Sequence, residues 1–511
     1  MTDINSKKRV LKNTLMLYFR QFLLLFISLY SVRIVLDALG VEDYGIYNVV
    51  AGVVTMFNFL TTAMANANQR FFSFSLGRKD NFLLKKYFSI TIEIYFIIIL
   101  LVLIISETLG IWFVQYKLKI PFERIYAAKI LFQLSIINFV LNLLASPYMA
   151  LIMSYENMSI FAKTSIIEGT LKLLTVFILK VLSFDKLISY GLLLCFTSFL
   201  LLVIYYKYCK ENCGNIRFSF SWDKDTFKEI FTFTGWCLFG TSAGVVKNQV
   251  TNILLNMNFG ASINAARAIA MNVNNAVISF VANFNIAVKP QIVKKYSIGE
   301  KKAAFDLVYE TSKLSFFLLY IFFLPLFLEM NYILNIWLKD VPEMTIMFTR
   351  LFLIETILDS LSFSLQSLSQ ASGKMKVYQS VVGGVLLLNL PLTYLVIKLG
   401  YNAYSVQWIA IVIGFLSLIL RIVINSILTG MNIAYFFKFV LKSCCIVAFI
   451  AAIIPTIFYF RLDESFGRFA VVVLTSSISI CLTYWYLGLT KLERNKFYLL
   501  IKSKILGEKV W

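Results

Sequence analysis

The stretch LGVEDYGIYNVVAGVV, residues 39–54, has a faint second copy in FGASINAARAIAMNVN, residues 259–274. Each copy leads through an apolar run into a basic segment. The first reads NANQRFFSFSLGRKDNFLLKKYF, residues 66–88, and the second NIAVKPQIVKKYSIGEKKAAFDL, residues 285–307. Gly40 aligns with Gly260 and Gly77 with Gly299, at offsets of 220 and 222 residues. Internal repeats decide architecture before any local reading does, so the question becomes what lies between the copies.

The intervening sequence is built for hydrocarbon. Of 511 residues, 59% are hydrophobic and 15% charged, with a mean hydropathy of +0.78; a soluble domain carries about 25% charged residues. A membrane-crossing helix needs about 20 mostly apolar residues. Candidate spans lie at 12–36, 44–66, 87–106, 125–147, 161–182, 187–206, 230–256, 263–288, 314–337, 346–370, 377–397, 403–425, 436–459 and 468–488. The first runs past signal-peptide length without a small-residue cleavage site and reads as retained.

Six spans separate the two copies, an even number, so the copies share one orientation. Parallel repeats of this kind are related by an axis along the membrane normal. The expected fold is an all-α polytopic membrane protein of about fourteen helices. Residues 1–210 would form one six-helix lobe and 211–430 a second, parallel one. Two additional helices would follow within 431–490, and a basic tail at 491–511. Lys and Arg crowd into 67–86, 207–228, 289–313 and the tail, which places both termini in the cytoplasm by the positive-inside rule.

That placement also accounts for the net charge of +21. The basic residues sit in short segments beside lipid headgroups, so the chain is not read as a nucleic-acid binder. The chain has no His, which removes imidazole catalysis and imidazole metal ligation. Its seven cysteines form no C-x-x-C and read as small apolar residues. The longest predicted outer loop, 107–124, holds no catalytic constellation. No enzyme activity, metal or cofactor is expected.

The first segment, KNTLMLYFRQFLLLFISLYSVRIVLDALGVEDYGIYNVV at 12–50, together with the span count and the two parallel halves, resembles the polysaccharide-transporter branch of the multidrug/oligosaccharidyl-lipid/polysaccharide (MOP) exporter superfamily. Within it, the sequence is most similar to Wzx-type flippases of O-antigen and capsule units. The resemblance implies a protein of the bacterial cytoplasmic (inner) membrane. Its cargo would be an oligosaccharide linked through diphosphate to undecaprenol, moved to the outer leaflet by alternating access. It also implies membrane lipids and the polysaccharide polymerisation machinery as partners.

Ionisable residues at membrane depth need a cavity or a partner, and a diphosphate crossing hydrocarbon needs cations. Arg20 lies about 12 Å into span one at 1.5 Å per residue, and Arg33 nearer its far end. Lys247 is deep in span seven. There Gly244, Lys247, Asn248, Thr251, Asn252 and Asn256 share one half of the helix, opposite Val246, Val250, Ile253, Leu254 and Met257. Arg267 begins a stripe with Asn274 and Asn285. The candidate substrate-binding set is therefore Arg20, Arg33, Lys247, Asn248, Asn252, Arg267 and Asn274; the resemblance likewise implies cationic cavity residues on spans one, seven and eight.

Three acidic features remain. Glu168 and Lys172 are four apart in the order that favours an intrahelical pair. Glu355 and Asp359 are also four apart, and two carboxylates on one face repel unless one is protonated or a cation lies between them. They are candidates for proton or sodium coupling. Glu93 reads as interfacial, and Pro147, Pro325, Pro391 and Pro455 as bends. Two other classes fit less well: a cation-coupled multidrug or metabolite exporter of the same architecture, and a membrane polymerase or ligase, which would need a sizeable outer loop.

Overall fold

The structure is a computed structural model. It describes residues 57–116, 120–182, 184–214, 223–259, 261–338, 341–491 and 493–495, with scattered residues between 16 and 54 and at 216 and 218–220. Arg33 lies outside the described residues. The chain is a multi-span all-α membrane protein, and it divides into two compact units, residues 13–241 and 242–511.

In the first unit, the principal helices are α1 (Asn58–Gly77), α2 (Asn81–Ile105), α3 (Ile125–Ser154), α4 (Met158–Val181) and α5 (Lys186–Asn212). Helix α3 packs along α5 and against α1, and α4 packs on α5. Helix α6 (Lys224–Phe259) carries the boundary between the units within its length. The second unit adds α7 (Ala261–Ser297), α8 (Lys301–Trp337), α9 (Thr345–Ser360), α10 (Phe363–Ser372), α11 (Met375–Leu387), α12 (Asn389–Lys398) and α13 (Ser405–Thr429). Helices α14 (Lys442–Arg461) and α15 (Phe466–Thr483) pair with each other and lie against α8.

Polarity is distributed as hydrocarbon solvent requires. Helix α2 exposes Phe96, Leu100, Leu101 and Ile104 while burying Ser89, Thr91 and Glu93. Lipid tails are as apolar as leucine, so association draws on close packing and interhelical hydrogen bonds rather than on expelling water. Asn68 donates to the Tyr95 hydroxyl (2.7 Å), which lies 3.1 Å from Ser146 Oγ. In the second unit Asn285 donates to Ser315 Oγ (3.2 Å) and accepts from Ser364 (3.5 Å). Each unit thus knits three helices through one buried amide and two hydroxyls.

Among the described residues, ten helices are long and apolar enough to cross a membrane. Of the predicted spans, 12–36 lies only partly within the described residues, and the helices at 161–182, 230–256 and 346–370 are not among the ten. Helix α4 carries Lys163, Glu168, Lys172 and Lys180, α6 carries the polar wall, and the third is broken at Leu361–Ser362 into α9 and α10. The candidate charges concentrate in these helices, whose polar groups lower their hydropathy.

Several expectations need correction. The predicted outer loop at 107–124 is largely helical, because α2 continues through a π turn at Ser106–Gly110 to Tyr116. The basic stretch 289–313 is likewise helix except for a turn at 298–300. Lys and Glu are good helix formers, so helices outrun the hydrocarbon segment that hydropathy detects. Glu93, expected near the interface, is packed inside the protein, twelve residues into α2 and 7% exposed.

The repeat is clearer in the backbone than in the sequence. Arg78, Lys79 and Asp80 donate their N–H groups to Phe74, Leu76 and Ser75; Ile298, Gly299 and Glu300 donate to Lys294, Tyr296 and Lys295. The two turns match bond for bond at an offset of 220. Lys79, not Gly77, is therefore the counterpart of Gly299, and both are left-handed, at φ 57° and 84°. Two further left-handed pairs follow: Glu156 with Gly373, 217 apart, and Gly214 with Gly430, 216 apart.

Proline positions differ in their effect. Helices α11 and α12 part at Leu388, one turn before Pro391, whose ring removes the bond to the Leu387 carbonyl. Helix α8 contains Pro325, yet its non-helical residue is Glu329 (φ −95°, ψ 19°). Arg350 Nε donates to the Phe327 carbonyl at 3.0 Å, a side chain entering the helical hydrogen-bond ladder. Arg468 donates twice to Glu329 at 2.9 Å, which ties α15 to the bend.

Candidate functional site: a charged cluster in the second unit

The second half of α6 places its polar residues as the helical period predicts. Val245, Val246, Ile253 and Met257 are exposed, Thr251 is buried, and Lys247, Asn248 and Asn252 are half-buried. The Asn256 side chain lies outside what the structure describes.

Lys247 meets a carboxylate. Its Nζ donates to Glu355 Oε1 at 2.5 Å, with both side chains 13% exposed. The other Glu355 oxygen accepts from Gln407 on α13. Asp359, one turn along α9, interacts electrostatically with Glu355, Lys247 and Arg421 of α13. Gln407 and Arg421 are fourteen residues apart, close to four turns, so they share a face. The protein's own cations thus stand close to the two carboxylates, with Lys247 paired directly to Glu355. Residues expected to serve separate purposes, Lys247 for substrate and Glu355–Asp359 for coupling, form one cluster.

Arg267 is different in kind. It is 2% exposed, and its hydrogen-bond acceptors among the described residues are neutral: Asn252 Oδ1, Asn248 Oδ1 at 3.5 Å and Met271 Sδ at 3.2 Å. The guanidinium also lies 5.3 Å from the centroid of the Phe352 ring, a cation–π contact. Glu355 adds a longer-range attraction. Asn274 accepts from Thr356, which fixes α7 on α9.

Arg20 is in the first unit, where it donates to Ser165 Oγ at 3.2 Å and lies 4.6 Å from the centroid of Phe161. Glu168 interacts with it electrostatically and also accepts from Lys172 at 2.6 Å, the intrahelical pair expected from the sequence.

Gln407, Arg421 and Thr356 were not singled out from the sequence. Arg421 carried a usable signal, a guanidinium inside the predicted span 403–425. Gln407 and Thr356 carried none, since neutral polar residues are frequent in these helices.

Counting from the left-handed landmarks gives the α9 and α13 members of the cluster counterparts in the first unit. At an offset of 217, Glu355 and Asp359 correspond to Asn138 and Asn142; at 216, Gln407, Gly414 and Arg421 correspond to Gly191, Ser198 and Tyr205. The neutral set is also connected. Ser198 Oγ donates to Asn138 Oδ1 at 2.5 Å, and Asn142 Nδ2 donates to Ser198 Oγ at 3.2 Å.

No family model matches the sequence, nor does any curated protein. Solved structures do match. An outward-facing multidrug resistance MATE family transporter of the MOP superfamily superposes with a TM-score of 0.71 at 12% identity, over 85% of this chain and 97% of that one. The chain has the MOP-superfamily fold. A MOP superfamily transporter from Pyrococcus furiosus, described as having a binding pocket of reverse polarity that suggests a different function, matches with a TM-score of 0.67 at 11% identity, over 84% and 96% of the two chains. A MATE structure in a bent conformation gives 0.68 at 13%, over 86% and 97%. On this MOP fold, the charged cluster of α6, α7, α9 and α13 lies wholly within one unit.

Proposed function

We propose that the chain is a transporter that moves an undecaprenyl-diphosphate-linked oligosaccharide from the cytoplasmic to the outer leaflet of a bacterial inner membrane by alternating access. The observation that carries this reading is Arg267. It is a buried guanidinium held by neutral acceptors, so its hydrogen bonds leave the positive charge in place. A diphosphate carries roughly two negative charges, and charge-assisted hydrogen bonds from a guanidinium offset their desolvation. The MOP superfamily transporter from Pyrococcus furiosus, whose binding pocket of reverse polarity suggests a different function, supports a link between pocket charge and function on this fold.

A second reading, a cation-coupled exporter of small molecules, draws on Glu355 and Asp359, whose spacing suits a proton or sodium ion. The two readings combine if those carboxylates release Lys247 upon ion binding, which makes coupling a property of the same cluster.

The deciding experiment follows the cargo in cells lacking the protein. The diphosphate-linked oligosaccharide should accumulate on the cytoplasmic leaflet, and Arg267→Gln should fail to complement while folding normally. Unchanged surface polysaccharide without accumulation overturns the flippase reading; resistance to cationic drugs lost on deletion supports the exporter. Asp359→Asn should lower transport under an imposed ion gradient.

A further inference from the structure

The first unit contains a cavity of about 320 Å³. It is bordered by residues of α1, α3 and α5 and by the segment before α1. Among the described residues its walls hold no charged side chain. Their polar members are Tyr47, Asn58, Thr61, Ser135, Asn138 and Asn142.

Polar side chains near the middle of a membrane helix need a reason. Asn138 and Asn142 lie in the second and third quarters of α3 (Ile125–Ser154). Mutual bonding accounts for only part of their capacity. Asn138 uses Oδ1 and Asn142 uses Nδ2; among the described residues nothing accepts from Asn138 Nδ2 and nothing donates to Asn142 Oδ1. One donor and one acceptor, each on a side chain lining the cavity, remain open. Glycine helps to make the site: a Cβ on Gly191 would meet Leu134 Cδ1 at 3.0 Å and Leu131 Cδ1 at 3.1 Å. Gln407, its counterpart in the second unit, occupies that position with a side chain bound to Glu355.

The chemistry of the walls selects the ligand by exclusion. A diphosphate is best served by cations and a coupling ion by carboxylates, and among the described residues the walls offer neither. A hydrophobic drug gains nothing from a row of amides and hydroxyls that it would desolvate. A sugar ring suits every feature: its hydroxyls donate and accept together, as an amide does, and its C–H face packs on an aromatic ring such as Tyr47. The volume is near the lower end of the roughly 300–1,000 Å³ of small-ligand pockets, suited to part of a glycan.

We infer that this cavity is a carbohydrate subsite, taking a neutral sugar ring of the cargo. The inference rests on the flippase reading for its cargo and on the cavity's own walls for its chemistry.

The test uses the full chain in nanodiscs with three separate probes: N-acetylglucosamine with glucose, inorganic pyrophosphate, and tetraphenylphosphonium as a drug-like cation. Saturation-transfer NMR should detect the free sugars on the wild type, and Asn142→Leu should reduce that signal at least tenfold with pyrophosphate binding unchanged. Thr61→Val, which removes a single hydroxyl, should reduce it severalfold and guards against misfolding of the first variant. Arg267→Gln should do the reverse. Absence of sugar binding in the wild type, or loss of tetraphenylphosphonium rather than sugar in Asn142→Leu, overturns the subsite. Sugar binding together with no leaflet accumulation in deletion cells would retain the subsite and overturn the flippase reading instead.

Discussion

At equivalent places in the repeat, the first unit puts Asn138 and Asn142 on α3, and the second puts Glu355 and Asp359 on the helix that corresponds to it. The neighbouring helix follows suit. Gly191, Ser198 and Tyr205 on α5 stand where Gln407, Gly414 and Arg421 stand on α13. The backbone frame is shared to the individual hydrogen bond at the 78–80 and 298–300 turns, whereas at 138 and 142 it carries amides and at 355 and 359 carboxylates. A duplicated frame can hold either set because each is self-consistent. Amides pair through Ser198, and carboxylates draw Lys247, Gln407 and Arg421 around them. What cannot persist is half of a set, since an unpaired ion at that depth costs several kcal/mol.

The largest effect should come from breaking the charged set. Glu355→Gln leaves Lys247 without its carboxylate and should cost about 3–5 kcal/mol of stability, as removal of one partner of a buried pair does. Thermal unfolding in detergent measures it, and Lys247→Met added to Glu355→Gln should recover most of the loss. No recovery in the double variant would mean that Lys247 is not the group left stranded.

The shared frame predicts opposite responses at one turn. Lys79 pays a left-handed penalty that Gly299 does not, so Lys79→Gly should stabilise and Gly299→Ala destabilise, each by about 1–2 kcal/mol. If both changes act in the same direction, the two turns are not equivalent. The neutral set should be softer than the charged one. Asn138→Ala should cost on the order of 0.6 kcal/mol, typical of interhelical hydrogen bonds in membranes. A loss as large as that of Glu355→Gln would erase the contrast between the units.

The smallest effect concerns ion pairs of the first unit outside its spans. Lys86 and the hydroxyl and N–H of Thr226 hold Asp223 well down, at about 2, where an ordinary Asp titrates near about 4. A carboxylate lowered by folding stabilises above its unfolded pKa. The contribution of Asp223 is therefore complete above about pH 4 and disappears as pH falls through about 2. Asp223→Asn should flatten the melting temperature over that window, and an unchanged slope would mean that Lys86 does not engage Asp223 in solution. Asp185 behaves similarly. Burial acts to raise it, but the N–H of Ile188 and the guanidinium of Arg124, which also binds Asp43, outweigh that and hold it below the usual range.

Much of this was legible in the sequence because the bilayer restricts the chain so severely. Backbone polar groups must be satisfied within helices, so composition and span length give an all-α polytopic fold without any packing argument. The 220-residue repeat and the polar wall of α6 were likewise readable, because helical period alone decides which residues share a face. The turn at Gly299 was misaligned by two residues, since Lys79 gives no sign in sequence of its left-handed backbone.

Period fixes a face and does not say which helix that face meets. Lys247 and Glu355 are 108 residues apart, and nothing in either local pattern couples them. The same holds for Arg267 with Asn248 and Asn252, and for the neutral set around Asn138. The sequence by itself determined that this is a multi-span helical protein and which polar residues of α6 share a helical face. Only the tertiary structure decided that Lys247 is matched by a carboxylate while the acceptors around Arg267 are neutral. The physical reason is that partner choice depends on which helices the packing brings side by side.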